Sequence, residues 1–164
     1  MNDTSSSFAY TVLSKLLRHY QEFGVPAKLA DADEAAPYAS LLLRFEEIGS
    51  RDDSLVLEMS FVPGLEEAAH EGVYLLQSFA VLRDRTPPEK QEALRRACAS
   101  LNLTLPIGAF GVLEEGGALY FKHNSMLRGE WLQDEEGVRH LDRVNGLILH
   151  QLHQFLDRLL AEVQ

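Results

Sequence analysis

Three side chains near the C-terminus, His150, His153 and Asp157, have the types and spacing to hold a divalent cation or to move a proton. On a helix, His150 with His153 and His153 with Asp157 each share a face, as zinc ligands must. His150 and Asp157 stand two turns apart, about 10 Å along the axis, so one ion cannot take all three. A site needs further ligands from elsewhere, and the sequence names none. The simpler reading is a solvated helix face, so no metal site and no catalytic residue is expected.

Other residues with chemical potential lead the same way. Cys98 follows Ala97 on an apolar helical stripe, whereas a reactive thiol needs exposure and a basic setting. As the only cysteine, it excludes an intrachain disulfide and a thiolate metal cluster. The glycines of "IGAFGVLEEGG" lack the Lys-Ser/Thr of a phosphate loop and sit between predicted strands. "DADE", from Asp31 to Glu34, starts like a calcium loop but lacks the expected Gly and the closing Glu. Glu46-Glu47 and Glu114-Glu115 are adjacent, so on a strand each pair points to opposite faces. No Ser-His-Asp set has a nucleophile-elbow context. Neither an enzyme nor a cofactor is expected.

The closing helix decides where the histidines stand. Leu141, Val144, Ile148, Leu152, Phe155 and Leu159 fall in one narrow stripe at about 100° per residue. The stripe keeps its phase across Asn145-Gly146, otherwise a turn dipeptide, so one helix is predicted from near Asp134 to Val163. Its length is about 40 Å, enough to cross a domain. Gly146 is expected to allow a kink or the close approach of another element. Trp131 is expected to pin the start of this helix as a hydrophobic staple; an exposed anchor for a partner is the alternative.

Upstream, Ala9, Val12, Leu13, Leu16, Leu17, Tyr20 and Phe23 predict a helix over Phe8–Phe23, capped by Ser7 or a neighbouring serine and ended by Gly24 and Pro26. Residues 1–7 read as a flexible tail. Alternation predicts strands around Leu41–Glu46 and Leu55–Phe61, joined through "GSRDD", after a short one at Ala27–Ala30. "GLEEAAHEG" is a polar connection with one helical turn. The next strand is apolar on both faces, with Val73, Leu75, Phe79 and Val81 against Tyr74, Leu76, Ala80 and Leu82. Thr86 as N-cap, Pro87 as first helical residue and Glu89 in a capping box announce a second helix, striped by Leu94, Ala97, Cys98 and Leu101. A second hairpin turns at Glu115-Gly116-Gly117. Strands in runs between helices predict an α+β fold with an antiparallel sheet. The order is helix, three or four strands, helix, hairpin, long helix, as a single domain over residues 8–164.

With 15 basic and 25 acidic residues the chain carries a net charge of −10 and no basic stripe, so nucleic acid is not an expected partner. No apolar run reaches the roughly 18–20 residues that span a bilayer. "MNDTSSSFAY" lacks the pattern of a secretory signal, and a cytoplasmic protein is expected.

A sheet with helices on one face needs apolar residues on that face alone. The Val73–Leu82 and Ile107–Leu113 strands are apolar on both, and Leu147 lies outside the stripe of its helix. The first helix, a second subunit or a bound chain must cover this surplus. Leu75, Phe79, Val81, Phe110, Tyr120, Trp131 and Leu147 are the residues expected on a partner or dimer surface. The expected function is a non-enzymatic, homodimeric protein-binding module covering an apolar or extended segment of a partner protein. The alternative is a small-molecule-binding regulator with its ligand between sheet and closing helix. An enzyme using the His150–Asp157 face is a third class.

From Gly72 to Val163 the chain has a helix ending in Leu101-Asn102, then Leu105-Pro106-x-Gly108-x-Phe110, a turn centred on Gly117, Leu119 to Phe121, and the long closing helix. This stretch resembles the YbjN-like family and the related class I type III secretion chaperones, which share a helix–three-strand–helix–two-strand–helix plan. The resemblance implies a small acidic dimer without catalytic residues, chaperone-like or regulatory in role. Secretion chaperones hold an extended segment of another protein against apolar patches. YbjN-like proteins are described as regulators or sensory-transduction proteins.

Overall fold

Helical and alternating periods change places along the chain where the elements do. The computed structural model describes residues 3–163 apart from 33, 35, 36 and 52, so Asp33 of the "DADE" connector lies outside the described residues. The first helix, α1 (Asp3–Glu22), buries Val12, Leu13, Leu16 and Tyr20 along one stripe. It starts at Asp3, so residues 3–7 of the expected tail are helical. Nothing after Asp3 breaks a helix, and serine costs only a fraction of a kcal/mol there, so the turn propagates back past the expected cap. Gly24, at φ 77°, turns the chain away, and the Val25 N–H donates to the Tyr20 carbonyl (2.9 Å).

Six antiparallel strands are described: β1 (Ala27–Ala30), β2 (Ser40–Ile48), β3 (Asp53–Phe61), β4 (Val73–Arg83), β5 (Ala109–Val112) and β6 (Leu119–Arg128), in the order β1-β2-β3-β4-β6-β5. A single helical turn, α2 (Glu66–His70), precedes β4, and α3 (Pro88–Asn102) links β4 to β5. A 3-10 turn (Gly129–Gln133) leads into α4 (Glu135–Ala161). The fold is α+β, in the order the sequence predicts.

Two expected helix starts differ in outcome. The helix α4 begins near Asp134 as expected, and Asp134 caps it, accepting from the N–H groups of Glu136 (3.0 Å) and Gly137 (3.2 Å). The capping box of α3 does not form. Pro87 precedes Pro88, and a residue before proline is driven out of the helical region; Pro87 sits at ψ 138° and the helix starts at Pro88. The buried Thr86 hydroxyl has no hydrogen-bond partner among the described residues, while its carbonyl accepts from Gln91 Nε2 (3.0 Å).

Strand register sets the two faces of the sheet. Leu29, Leu41, Met59, Ser78 and His123 form one row across five strands. This face joins α1, α3 and α4 in one buried cluster with Leu43, Leu57, Leu76, Phe110 and Phe121. The helix α1 is therefore not the cover for the opposite face, because it shares this one with α4. The two meet at Asn145, whose Nδ2 donates to Tyr20 Oη (2.8 Å) and lies 3.2 Å from Met59 Sδ. Ser78 Oγ donates to Asn145 Oδ1 at 3.5 Å, a long bond. Burial pushes the Tyr20 hydroxyl well above its ordinary value and keeps it protonated.

The helix α4 runs unbroken through Asn145-Gly146. The close approach expected at Gly146 is absent: a Cβ there meets nothing within 4 Å. Gly137 is the tight position, against the Trp131 carbonyl and Leu132. Leu132, buried with Val138, takes the pinning role expected of Trp131. In the 3-10 turn, Trp131 is itself half-exposed, because its neighbour holds the inward position.

Candidate functional site

His150, His153 and Asp157 do not converge on a point. His153 Nδ1 accepts the Gly49 N–H (3.1 Å), and Asp157 Oδ2 accepts the Ser50 N–H (2.8 Å). This side of α4 therefore receives the β2–β3 turn at the surface, with His150 and His153 exposed and Asp157 partly so. A Cβ on Gly49, at φ 74°, would stand 3.0 Å from Asp157 Oδ1, so the turn requires glycine. The Ser50 amide, helped by its hydroxyl, holds the Asp157 carboxyl below its ordinary range. Among the described residues no group of three or more His, Cys, Asp or Glu side chains is placed to hold a metal ion. Cys98 is buried, and burial pushes its thiol up to about 11.

The surplus apolar residues divide between the two sides of the sheet. Phe110 belongs to the core at 3% exposure, edge-on to Phe121 (5.3 Å), and is not part of a partner surface. Register puts it there: Phe110 pairs with Phe121, and Phe121 pairs with Ala80 on the helix-covered face. Leu75, Phe79, Val81 and Tyr120 lie on the opposite, open face, where Tyr120 stacks on Phe79 (5.4 Å, 23°). Tyr120 also lies over Gly111, where no Cβ would fit. Trp131 and Leu147 are exposed elsewhere, Leu147 on the outer side of α4, so neither joins this patch.

The open face also holds apolar residues outside the expected partner surface. Val56 (45% exposed) and Met126 (71%) share it, as does the half-buried Leu42. Met126 pairs with Leu75 on a part of β6 where Lys122, Asn124 and Arg128 share its face, so no apolar alternation marks it. One row crosses all six strands: Lys28, Leu42, Glu58, Phe79, Lys122 and Ala109. Its centre is thus an aromatic ring between a carboxylate and an ammonium.

The β5 edge is closed by side-chain amides. The Leu113 N–H donates to the Ala118 carbonyl (2.9 Å), and alternation from that pair turns the Phe110 backbone away from β6. There Asn102 Oδ1 accepts the Phe110 N–H (2.8 Å) and Asn102 Nδ2 donates to its carbonyl (2.9 Å). Gln151 does the same for Ile107, at 3.4 and 3.1 Å. These two amides stand in for a neighbouring strand.

Between sheet and α4, the place of the alternative ligand, Leu41, Leu43, Leu57, Met59, Ile148 and Leu152 fill the space with no exposed surface. A shallow cleft of about 350 Å³ lies instead where α1, β4 and the 3-10 turn meet, lined by Phe8, Glu71, Tyr74, Arg128 and Glu130 among others. Arg128 and Glu130 pair with each other there (3.1 Å). No helix among the described residues is long and apolar enough to cross a membrane. No protein-family model matches the chain, and no curated protein matches it.

Proposed function

We propose that this chain is a non-enzymatic protein-binding module, chaperone-like or regulatory in role, whose open sheet face covers an apolar segment of a partner protein. One observation carries the reading. Phe79, Val81, Tyr120, Leu75 and Met126 occupy a sheet face over which none of α1, α3 and α4 lies. Monomeric proteins rarely leave such patches uncovered unless something docks there. The reading includes a homodimer and a cytoplasmic setting, in keeping with one buried, unpaired cysteine. It also agrees with the resemblance to YbjN-like proteins and class I secretion chaperones.

A photo-cross-linking residue at Val81 tests it in the native host. The expected result is a polypeptide adduct from Val81 and none from Leu147, which is similarly exposed on α4. An adduct from neither position, or from both alike, would overturn the docking role of this face.

A further inference from the structure

The open face of a chain this acidic is not itself acidic. Lys28, Arg44, Lys122 and Arg128 stand there against Glu46 and Glu58, whereas the whole chain has 15 basic and 25 acidic residues. Arg44 is satisfied by Glu46 (2.7 Å), and Arg128 by Glu130 (3.1 Å). Glu58 and Lys122 have no ion-pair partner among the described residues. They flank Phe79 on the two adjacent strands, in register with it.

That arrangement is self-complementary. A two-fold axis running along β4 beneath Phe79 exchanges the strands on its two sides. Glu58 then faces Lys122 of the partner subunit, Lys122 faces Glu58 of the partner subunit, and the Phe79 rings meet on the axis. We infer that the open face docks a second copy of this chain, sheet against sheet, with two reciprocal Glu58–Lys122 pairs setting the register.

The inference rests on the docking role proposed for this face and names its occupant. Two chains of net charge −10 repel at most orientations, and this face is where they approach without opposing carboxylates. Size agrees as well. Five strand intervals make the face about 24 Å wide, and β4 makes it about 36 Å long. That matches the roughly 800 Å² each partner buries in a standard stable interface. The aligned packing this requires is an ordinary way for two sheets to stack. Isolated ion pairs add little affinity, so the apolar residues hold the pair together and the charges select its orientation.

Sedimentation equilibrium on the wild type, Glu58→Lys, Lys122→Glu and the double reversal tests this. The wild type is expected to be a dimer. Each single reversal places like charges together twice and weakens dimerisation about tenfold or more, and the double reversal restores it. Circular dichroism melting on each variant separates misfolding from dissociation. Carbodiimide coupling of mixed light and heavy-isotope wild-type chains gives a second readout that needs no variant: a Glu58–Lys122 link between chains is expected. A monomeric wild type, a dimer indifferent to both reversals, a double reversal no better than the singles, or a link only within chains would each overturn the inference. A monomer whose Val81 cross-links to another protein removes the second copy as occupant and leaves the docking role standing.

Discussion

Replacing Asn145 with alanine removes the donor to Tyr20 Oη and the acceptor of the Ser78 hydroxyl, and it opens a gap beside Met59. A buried polar group left unsatisfied, with a cavity next to it, costs about 2–4 kcal/mol. The expected outcome is a urea-unfolding free energy lowered by that amount, read as a lower midpoint at unchanged slope. Asp157 acts in the opposite setting, at the surface. Its folded carboxyl lies below the ordinary value of 3.8 because the Ser50 amide and hydroxyl bond the charged form. The stability it contributes is therefore present above the unfolded value and lost as pH falls through the lower folded value. Asp157→Asn should unfold more readily than wild type at neutral pH, and thermal melts of the two should converge as the solution is acidified through that window. Neither role was legible in the sequence. Periodicity scores apolar residues, so a buried Asn inside a turn dipeptide and an Asp on the polar side of a helix carry no signal of their partners. The spacing put His150 and Asp157 two turns apart, but it could not show that a distant turn meets His153 and Asp157.

At the scale of elements the sequence was more open, because long amphipathic helices and alternating strands are set by local pattern. The unbroken α4, the two hairpins and the short strand at Ala27–Ala30 all follow from it. What escaped was set by neighbours in space or by adjacent prolines. The start of α3 moved because Pro87 is followed by Pro88, and β5 proved only four residues long. The Asn102 that closes its helix doubles as the mock strand beside Phe110. Asn102→Leu leaves that N–H and carbonyl without their amide partner, for an expected loss of about 1–3 kcal/mol. Hydrogen exchange should show the Phe110 amide losing its protection while amides in β2 and β3 keep theirs. Equal loss throughout the sheet would mean that Asn102 acts on global stability instead.

For the molecule as a whole, an apolar surplus on β4 was readable before the structure, but its distribution was not. A one-residue step along a strand exchanges core for surface, so Phe110 and Tyr120, both read as surface candidates, end on opposite sides of the sheet. Only pairing register separates them. The covered side depends on α4 throughout: Asn145 meets α1 and the sheet, Gln151 holds Ile107, and His153 with Asp157 holds the β2–β3 turn. Yet α4 follows every strand in chain order. At translation rates of about 5–20 residues per second, the strands leave the ribosome several seconds ahead of the helix that shields them. Through that interval α1 is the one long helix of this face ahead of the strands, and the part of the sheet that α4 later covers is a temporary client for whatever protects newly made chains in the cell.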